Sequence, residues 1–140
     1  MREANPEEYV EVLRFYARQM SLLDRLDLDG YAQTFTPDGV THHVHHGQKL
    51  EGRDALLAHA SQALPRYRDV TARHWNDHYI VDVAPDGKVQ VSYTSLVTVT
   101  DAEGRVRFES TFAVDDELVR LDGRLHTLSR TIVRDRPAAR

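Results

Sequence analysis

A chain of 140 residues, 41% of them hydrophobic, with a formal charge of −4 and no cysteine, carries enough apolar material for one domain with a real core. It excludes disulfides, thiolate catalysis and cysteine-ligated metal, and its acidic balance, with Lys and Arg scattered, excludes the electrostatic footprint of a nucleic-acid partner. No run approaches about 18 consecutive apolar residues, and the opening MREANPEEYV has acids where a signal peptide needs a basic start, so a cytoplasmic protein with no membrane association is expected.

Asn5, Pro6, Glu7 and Glu8 make a strong helix start: Asn caps, Pro suits the first helical position, and two acids complement the dipole of the first turn. The pattern predicts helix one from Pro6 to about Leu23. Val10, Leu13, Ala17 and Met20 recur at intervals of three and four, and Asp24 continues that series. A carboxylate on an apolar stripe faces the interior, where its charge is costly unless paired, so Asp24 reads as serving a pocket. If the helix stops near Leu23 instead, Asp24, Asp27 and Asp29 are solvated loop acids. A shorter second helix is predicted over Leu28 to Phe35, ended by a turn at Thr36, Pro37, Asp38 and Gly39. Val40 to His46 then reads as a short strand, Gly47 turns the chain, and Asp54 to Ala63 forms a third helix closed by Pro65.

Beyond Pro65 the pattern changes to long alternating runs. Val70 to Val83 reads as one strand, followed by a turn over Ala84, Pro85, Asp86 and Gly87. Val89, Val91, Tyr93, Ser95, Val97 and Val99 share one face of the next, with Gln90, Ser92, Thr94, Leu96 and Thr98 opposite. A hairpin at Asp101 to Gly104 leads to Val106, Phe108, Ser110, Phe112 and Val114, which alternate with Arg105, Arg107, Glu109 and Thr111. Leu121, Asp122 and Gly123 turn again, Leu125 to Val133 closes the sheet, and Arg134 to Arg140 reads as a frayed tail. Helices first and a meander of strands afterwards give an α+β class, about three helices on one face of a curved antiparallel sheet that can enclose a pocket, in a single domain spanning 1–140.

Several local strings resemble the SnoaL-like branch of the nuclear transport factor 2-like superfamily. They are Leu23, Asp24, Arg25, Leu26 and Asp27 after helix one; Phe35, Thr36, Pro37, Asp38, Gly39 and Val40 after helix two; Leu50, Glu51, Gly52, Arg53, Asp54, Ala55 and Leu56 opening helix three; and Arg73 with His74 early in the first long strand. The resemblance covers nearly the whole chain and implies a cone-shaped domain with a deep pocket between helices and sheet, a small-molecule substrate, and a homodimer formed through the sheet. Relatives of this kind include polyketide cyclases, scytalone dehydratase, bile-acid dehydratase, ketosteroid isomerase and limonene epoxide hydrolase, together with members that have no enzymatic role. In the dehydratases a carboxylate after helix one and a histidine on the first long strand act as an acid/base pair, which the resemblance assigns to Asp24 and His74. Leu23 stands where scytalone dehydratase carries a tyrosine, so carbonyl polarisation needs another donor, for which Tyr79 and Tyr93 are candidates.

His74, Asn76 and His78 alternate along one strand and share a face unless a bulge intervenes; lining a pocket, they would offer donors and a titratable base. The alternative for each is a satisfied structural side chain. The tract from Thr41 to His46 invites a metal reading, but on a strand His43 and His45 point one way and His42, Val44 and His46 the other. At most a pair converges, while a stable centre needs three or four ligands, so no metal is expected; one or two of these histidines, His42 among them, would rim the pocket mouth. Arg105 and Arg107 against Glu109 read as a solvated or interface strand face, Trp75 as core or dimer contact, and Glu109 and Arg130 as reaching a pocket only if the strand phase runs opposite. No phosphate loop, nucleophile elbow or Ser-His-Asp arrangement is present.

These readings converge on a cofactor-independent acid/base enzyme of secondary metabolism, a dehydratase, isomerase or cyclase acting on a polyketide-like or other apolar small molecule. The competing reading is a non-catalytic ligand-binding or dimerisation module of the same fold. An enzyme requires Asp24 and His74 within hydrogen-bond reach, directly or through one water, in a cavity of roughly a few hundred Å³, whereas a scaffold could have that cavity filled by side chains.

Overall fold

The computed structural model describes residues 1–136; the last four residues of the expected frayed tail lie outside them. Helix α1 spans Pro6–Asp24, opened by a reciprocal cap in which the Asn5 side chain accepts from the Glu8 N–H and the Glu8 carboxylate accepts from the Asn5 N–H, satisfying two otherwise orphaned donors. At its other end the Leu26 N–H donates to Leu23 O and the Asp27 N–H to Leu22 O, with Leu26 left-handed at φ 63°. This paired closure ends the helix at Asp24, with Arg25 as its cap. The buried stripe is Val12, Tyr16, Gln19 and Met20, not the expected one: Val10 is 44% exposed, Leu13 38%, and Ala17 is exposed as well. The row that leads inward is therefore Tyr16, Met20 and Asp24, each one helical turn from the next.

Helix α2, Leu28–Gln33, is capped by the Asp27 carboxylate, which accepts from the Gly30 N–H at 3.0 Å. It stops short of Phe35 because that residue opens strand β2, Phe35–His43. The expected turn at Thr36 to Gly39 is instead an irregular stretch within β2, where the register against the last strand shifts between Phe35 and Val40. The strand ends at His43; Val44–His46 form a single tight helical turn, closed by Gly47 at φ 60°. A return strand that the pattern did not predict, β3 (Gln48–Glu51), pairs with β2, and helix α3 covers Arg53–Ala63.

Strands β4 (Thr71–Val83), β5 (Val89–Thr100), β6 (Val106–Leu121) and β7 (Arg124–Arg134) form the meander. With the two-residue β1 (Arg2–Glu3) they complete a seven-stranded, unclosed sheet of order β1-β4-β5-β6-β7-β2-β3, antiparallel except between β2 and β7. Strand β6 continues beyond the alternating run to the expected turn at Leu121, and its first part is open: Phe108 is 77% exposed. The Asp122–Gly123 turn has φ 53° and 77°, the doubly left-handed geometry that suits a tight hairpin.

Two bulges decide which side chains face the helices. In β4 the register shifts between Asp77 and Ile80, with His78 at φ 58°. His74 and Asn76 point inward before the bulge, Tyr79, Val81 and Val83 after it, and His78 is exposed. In β7 the register shifts opposite Glu117 and Leu118; Leu125 and Thr127 are buried before it, Arg130 after it. An extra residue re-phases a strand, and here it turns Tyr79 and Arg130 inward.

Candidate active site

Asp24 and His74 are fifty positions apart in sequence and in contact in the fold. His74 Nδ1 lies 2.7 Å from Asp24 Oδ1, and the His74 backbone N–H donates to Asp24 Oδ2 at 3.2 Å. A carboxylate only accepts, so His74 carries its neutral-form proton on Nδ1 and leaves Nε2 as a bare lone pair. The two-point contact fixes ring orientation as well as tautomer. The helix dipole disfavours a negative charge in the last turn of α1, and His74 supplies the compensating donors. The side chains are 10% and 26% exposed, so the pair is sheltered but reachable.

Along the inner face of the sheet from this pair, Asn76 is in register with Ser95, and Ser95 with Phe112; His74 is in register with Val97, and Val97 with Ser110. His74, Asn76, Val97, Ser110 and Phe112 are all only part-buried, unlike the tightly packed end built from Val81, Val91, Val114 and Leu118. The inner face is thus filled at one end and only partly covered at the other, where Ser95 and Val99 are themselves buried: a shallow groove rather than the deep pocket that the resemblance implies. Two surface depressions, of about 420 and 250 Å³, lie elsewhere, around Met1 and Pro85 and around Tyr9, Tyr79 and Ile80, and neither is lined by Asp24 or His74.

The other expected site residues divide. Asn76 faces the groove, and its Oδ1 is buried without a hydrogen-bond partner. His78 is carried outward by the bulge. Tyr79 is half-buried and stacks on Tyr16 at 5.2 Å; burial first, and Asp77 second, push its hydroxyl up to about 12. Tyr93 is 5% exposed and donates to Asp116 Oδ2 at 3.1 Å, so its hydroxyl is committed inside the core. His42, between the inward Thr41 and His43, points to the opposite face of β2.

Asp116 was not singled out by the sequence. It forms the centre of a buried network with Arg130, whose Nε and Nη2 donate to its two oxygens at 3.0 and 2.8 Å. Tyr16 donates to the same carboxylate at 2.7 Å, while Arg130 also donates to Tyr31 Oη at 3.0 Å and to Gln19 Oε1 at 2.6 Å. Burial opposes the Arg130 charge, but Asp116 and the neighbouring tyrosines outweigh it and hold its pKa well above the ordinary value. Through these contacts the network anchors α1 and α2 to the sheet.

The histidine tract is also rearranged. His43, His45 and His46 gather with His59 of α3, ring centroids 4.1 to 6.4 Å apart. Among the described residues no group of three or more histidines or acids is arranged to hold a metal ion. No helix among them is long and apolar enough to cross a membrane.

Three helices on a mostly antiparallel sheet, with an Asp–His pair at the open end, define a nuclear transport factor 2-like α+β architecture. The SnoaL-like domain model matches residues 5–131, and the chain belongs to that family. Aln2 from a Streptomyces species has 43% sequence identity and a TM-score of 0.90, with 95% of this chain and 94% of Aln2 covered. ActVI-ORFA from Streptomyces coelicolor has 36% identity and a TM-score of 0.85, covering 91% and 96%. A protein from Catenulispora acidiphila, solved in complex with S-DNPA, has 36% identity and a TM-score of 0.84, covering 93% and 95%. No curated protein matches the chain significantly.

Proposed function

We propose that the protein is a small-molecule enzyme that works by proton transfer, with His74 Nε2 as the base and Asp24 as the group that orients it and stabilises the imidazolium. The observation that carries this reading is the 2.7 Å Nδ1 to Oδ1 contact, with Nε2 left without a protein partner at the edge of the groove. His74 takes a proton from a carbon next to a carbonyl and returns it to a departing hydroxyl as water, or to another carbon or oxygen of the substrate. Dehydration, isomerisation and ring closure are all combinations of those two transfers. They need no group beyond the chain's own side chains. Tyr79 is the hydroxyl left to polarise the carbonyl, since that of Tyr93 is engaged with Asp116. The half-open inner face, with Val97 and Phe112, favours an apolar, ring-bearing substrate, and the ligand-bound Catenulispora relative supports a small molecule in this fold.

The partner in solution is a second copy of the chain, joined through the outer face of the sheet. Trp75, Ile80 and Phe108 are 58, 64 and 77% exposed there, an apolar surface that a monomer would leave in water.

Deuterium exchange into 2-tetralone in D2O, followed by proton NMR, tests the base directly. The wild-type protein is expected to accelerate exchange next to the carbonyl above the buffer rate, and His74→Ala to abolish that excess. Exchange at the buffer rate for both, with the ketone demonstrably bound, would favour a binding module.

A further inference from the structure

The groove has a second end that the Asp24–His74 pair does not use. His43 closes β2, His45 and His46 follow in the helical turn, and His59 comes from α3. From His43 the ring centroids of His45, His46 and His59 lie at 6.0, 6.4 and 5.7 Å. His45 also lies against Phe112, 5.6 Å between centroids, and Phe112 stands in the row Asn76, Ser95, Phe112, which β7 extends at Arg134. Neighbouring strands are about 4.8 Å apart, so the stretch from Asn76 to Phe112 spans about 10 Å, the breadth of a two-ring molecule. The imidazoles and the pair stand at opposite ends of one floor.

The chemistry of this corner is one-sided. Gln48, whose Nε2 is 3.3 Å from His59 Nδ1, is the side-chain partner there. Arg134 at the end of β7 and Arg136 just beyond it act on His45, the Ile132 carbonyl is a hydrogen-bonding neighbour of the His45 ring and Gln48 of the His43 ring, and no carboxylate figures among the main influences on either. The Nδ1 atoms of His43 and His45 are buried with no hydrogen-bond partner, as is Asn76 Oδ1. Buried polar atoms left unpaired cost stability and call for a reason. Burial first, then His59, His45 and His46, bring His43 down to about 4, so its ring is neutral at pH 7. The rings are not arranged around a metal position. What would satisfy several imidazoles and two guanidinium groups in a protein of net charge −4 is an anion that accepts hydrogen bonds.

We propose that His43 and His45, backed by His46 and His59, form the anion-recognition end of the groove and hold a carboxylate carried by a flat, ring-bearing substrate. This assignment rests on the groove being the substrate site. Binding takes up a proton from solvent: a ring that is neutral in the free protein becomes an imidazolium against the carboxylate, because an anionic neighbour raises its pKa. The carboxylate fixes the substrate's orientation and places its far end at His74.

Calorimetric titration with naphthylacetate and its neutral isostere naphthylacetamide, at about pH 6 in two buffers of different ionisation enthalpy, separates the possibilities. The wild-type protein is expected to bind the acid at least about tenfold more tightly than the amide, with proton uptake for the acid alone. H43Q/H45Q should lose both the preference and the uptake while binding the amide within about twofold of wild type, and D24N should keep the preference. Equal affinity for the two probes in wild-type protein, a preference that survives in H43Q/H45Q, or one abolished by EDTA overturns the proposal. Should H43Q/H45Q not fold, proton uptake by the wild-type protein decides alone, its absence counting against the proposal. The His74 NMR signal separates this assignment from the reading beneath it. If the amide perturbs that signal but the acid shows no advantage, only the anion subsite falls. If neither probe perturbs it, the groove reading falls too.

Discussion

Asp24 sits in the last turn of a helix whose dipole opposes its charge, and it stays there because one residue, His74, offers it both a ring nitrogen and a backbone N–H. Asp24→Asn keeps the shape and loses the carboxylate that fixes the tautomer, while His74→Ala removes the base. Each is expected to lose about 10²–10⁴-fold in turnover, by steady-state kinetics, and to melt near the parent. The double variant should be scarcely worse than either single, because the two act as a unit; multiplied losses would mean separate roles. The tyrosines offer a second contrast. Tyr93→Phe strands part of a buried carboxylate and should cost about 1–3 kcal/mol in urea unfolding. Tyr79→Phe should leave stability within about 0.5 kcal/mol and lower the rate. At this scale the sequence pointed to Asp24 and His74, though partly through the wrong stripe: Val10 and Leu13 face water, and Asp24 points inward through Tyr16 and Met20.

Two bulges account for most of what strand periodicity missed. Alternation read straight through β4 groups His74, Asn76 and His78, but the shift at Asp77 to Ile80 sends His78 outward and Tyr79 inward. A bulge has no period, so a pattern of period two cannot register it; the left-handed His78 becomes apparent only in the backbone. Strain there is open to test. His78→Val is expected to destabilise by about 1–2 kcal/mol although the site is exposed, and His78→Gly to be near neutral. In a regular strand the order would reverse. The second bulge brings Arg130 to Asp116, a pair with few local cues because its tyrosine and glutamine partners come from α1, α2 and β5. Asp116→Asn leaves a buried guanidinium undercompensated and should cost about 3–5 kcal/mol by denaturant titration. The expected strand from Val40 to His46 holds only as far as His43, since nothing in the composition marks the helical turn at Val44–His46 that gathers the rings.

The architecture as a whole was more legible than its chemistry, because hydrophobic periodicity over long strands reports burial on one face, whereas a site depends on a few side chains placed by irregularities. Helix order, the β-rich second half and the family resemblance all agree with the observed sheet and with the SnoaL-like match. On the outer face, Trp75 and Phe108 frame the proposed dimer contact. Light scattering should give twice the chain mass for the parent and the chain mass for Trp75→Glu/Phe108→Glu; a monomeric parent would remove the dimer from the account. The central claim, that Asp24 makes His74 a base at Nε2, is most directly read by long-range proton–nitrogen NMR of protein labelled with ¹⁵N-histidine, at a pH where His74 is neutral. The account predicts an Nδ1–H tautomer in the parent and a shift toward Nε2–H in Asp24→Asn. An Nε2–H tautomer in the parent, or a tautomer indifferent to Asp24, would contradict it.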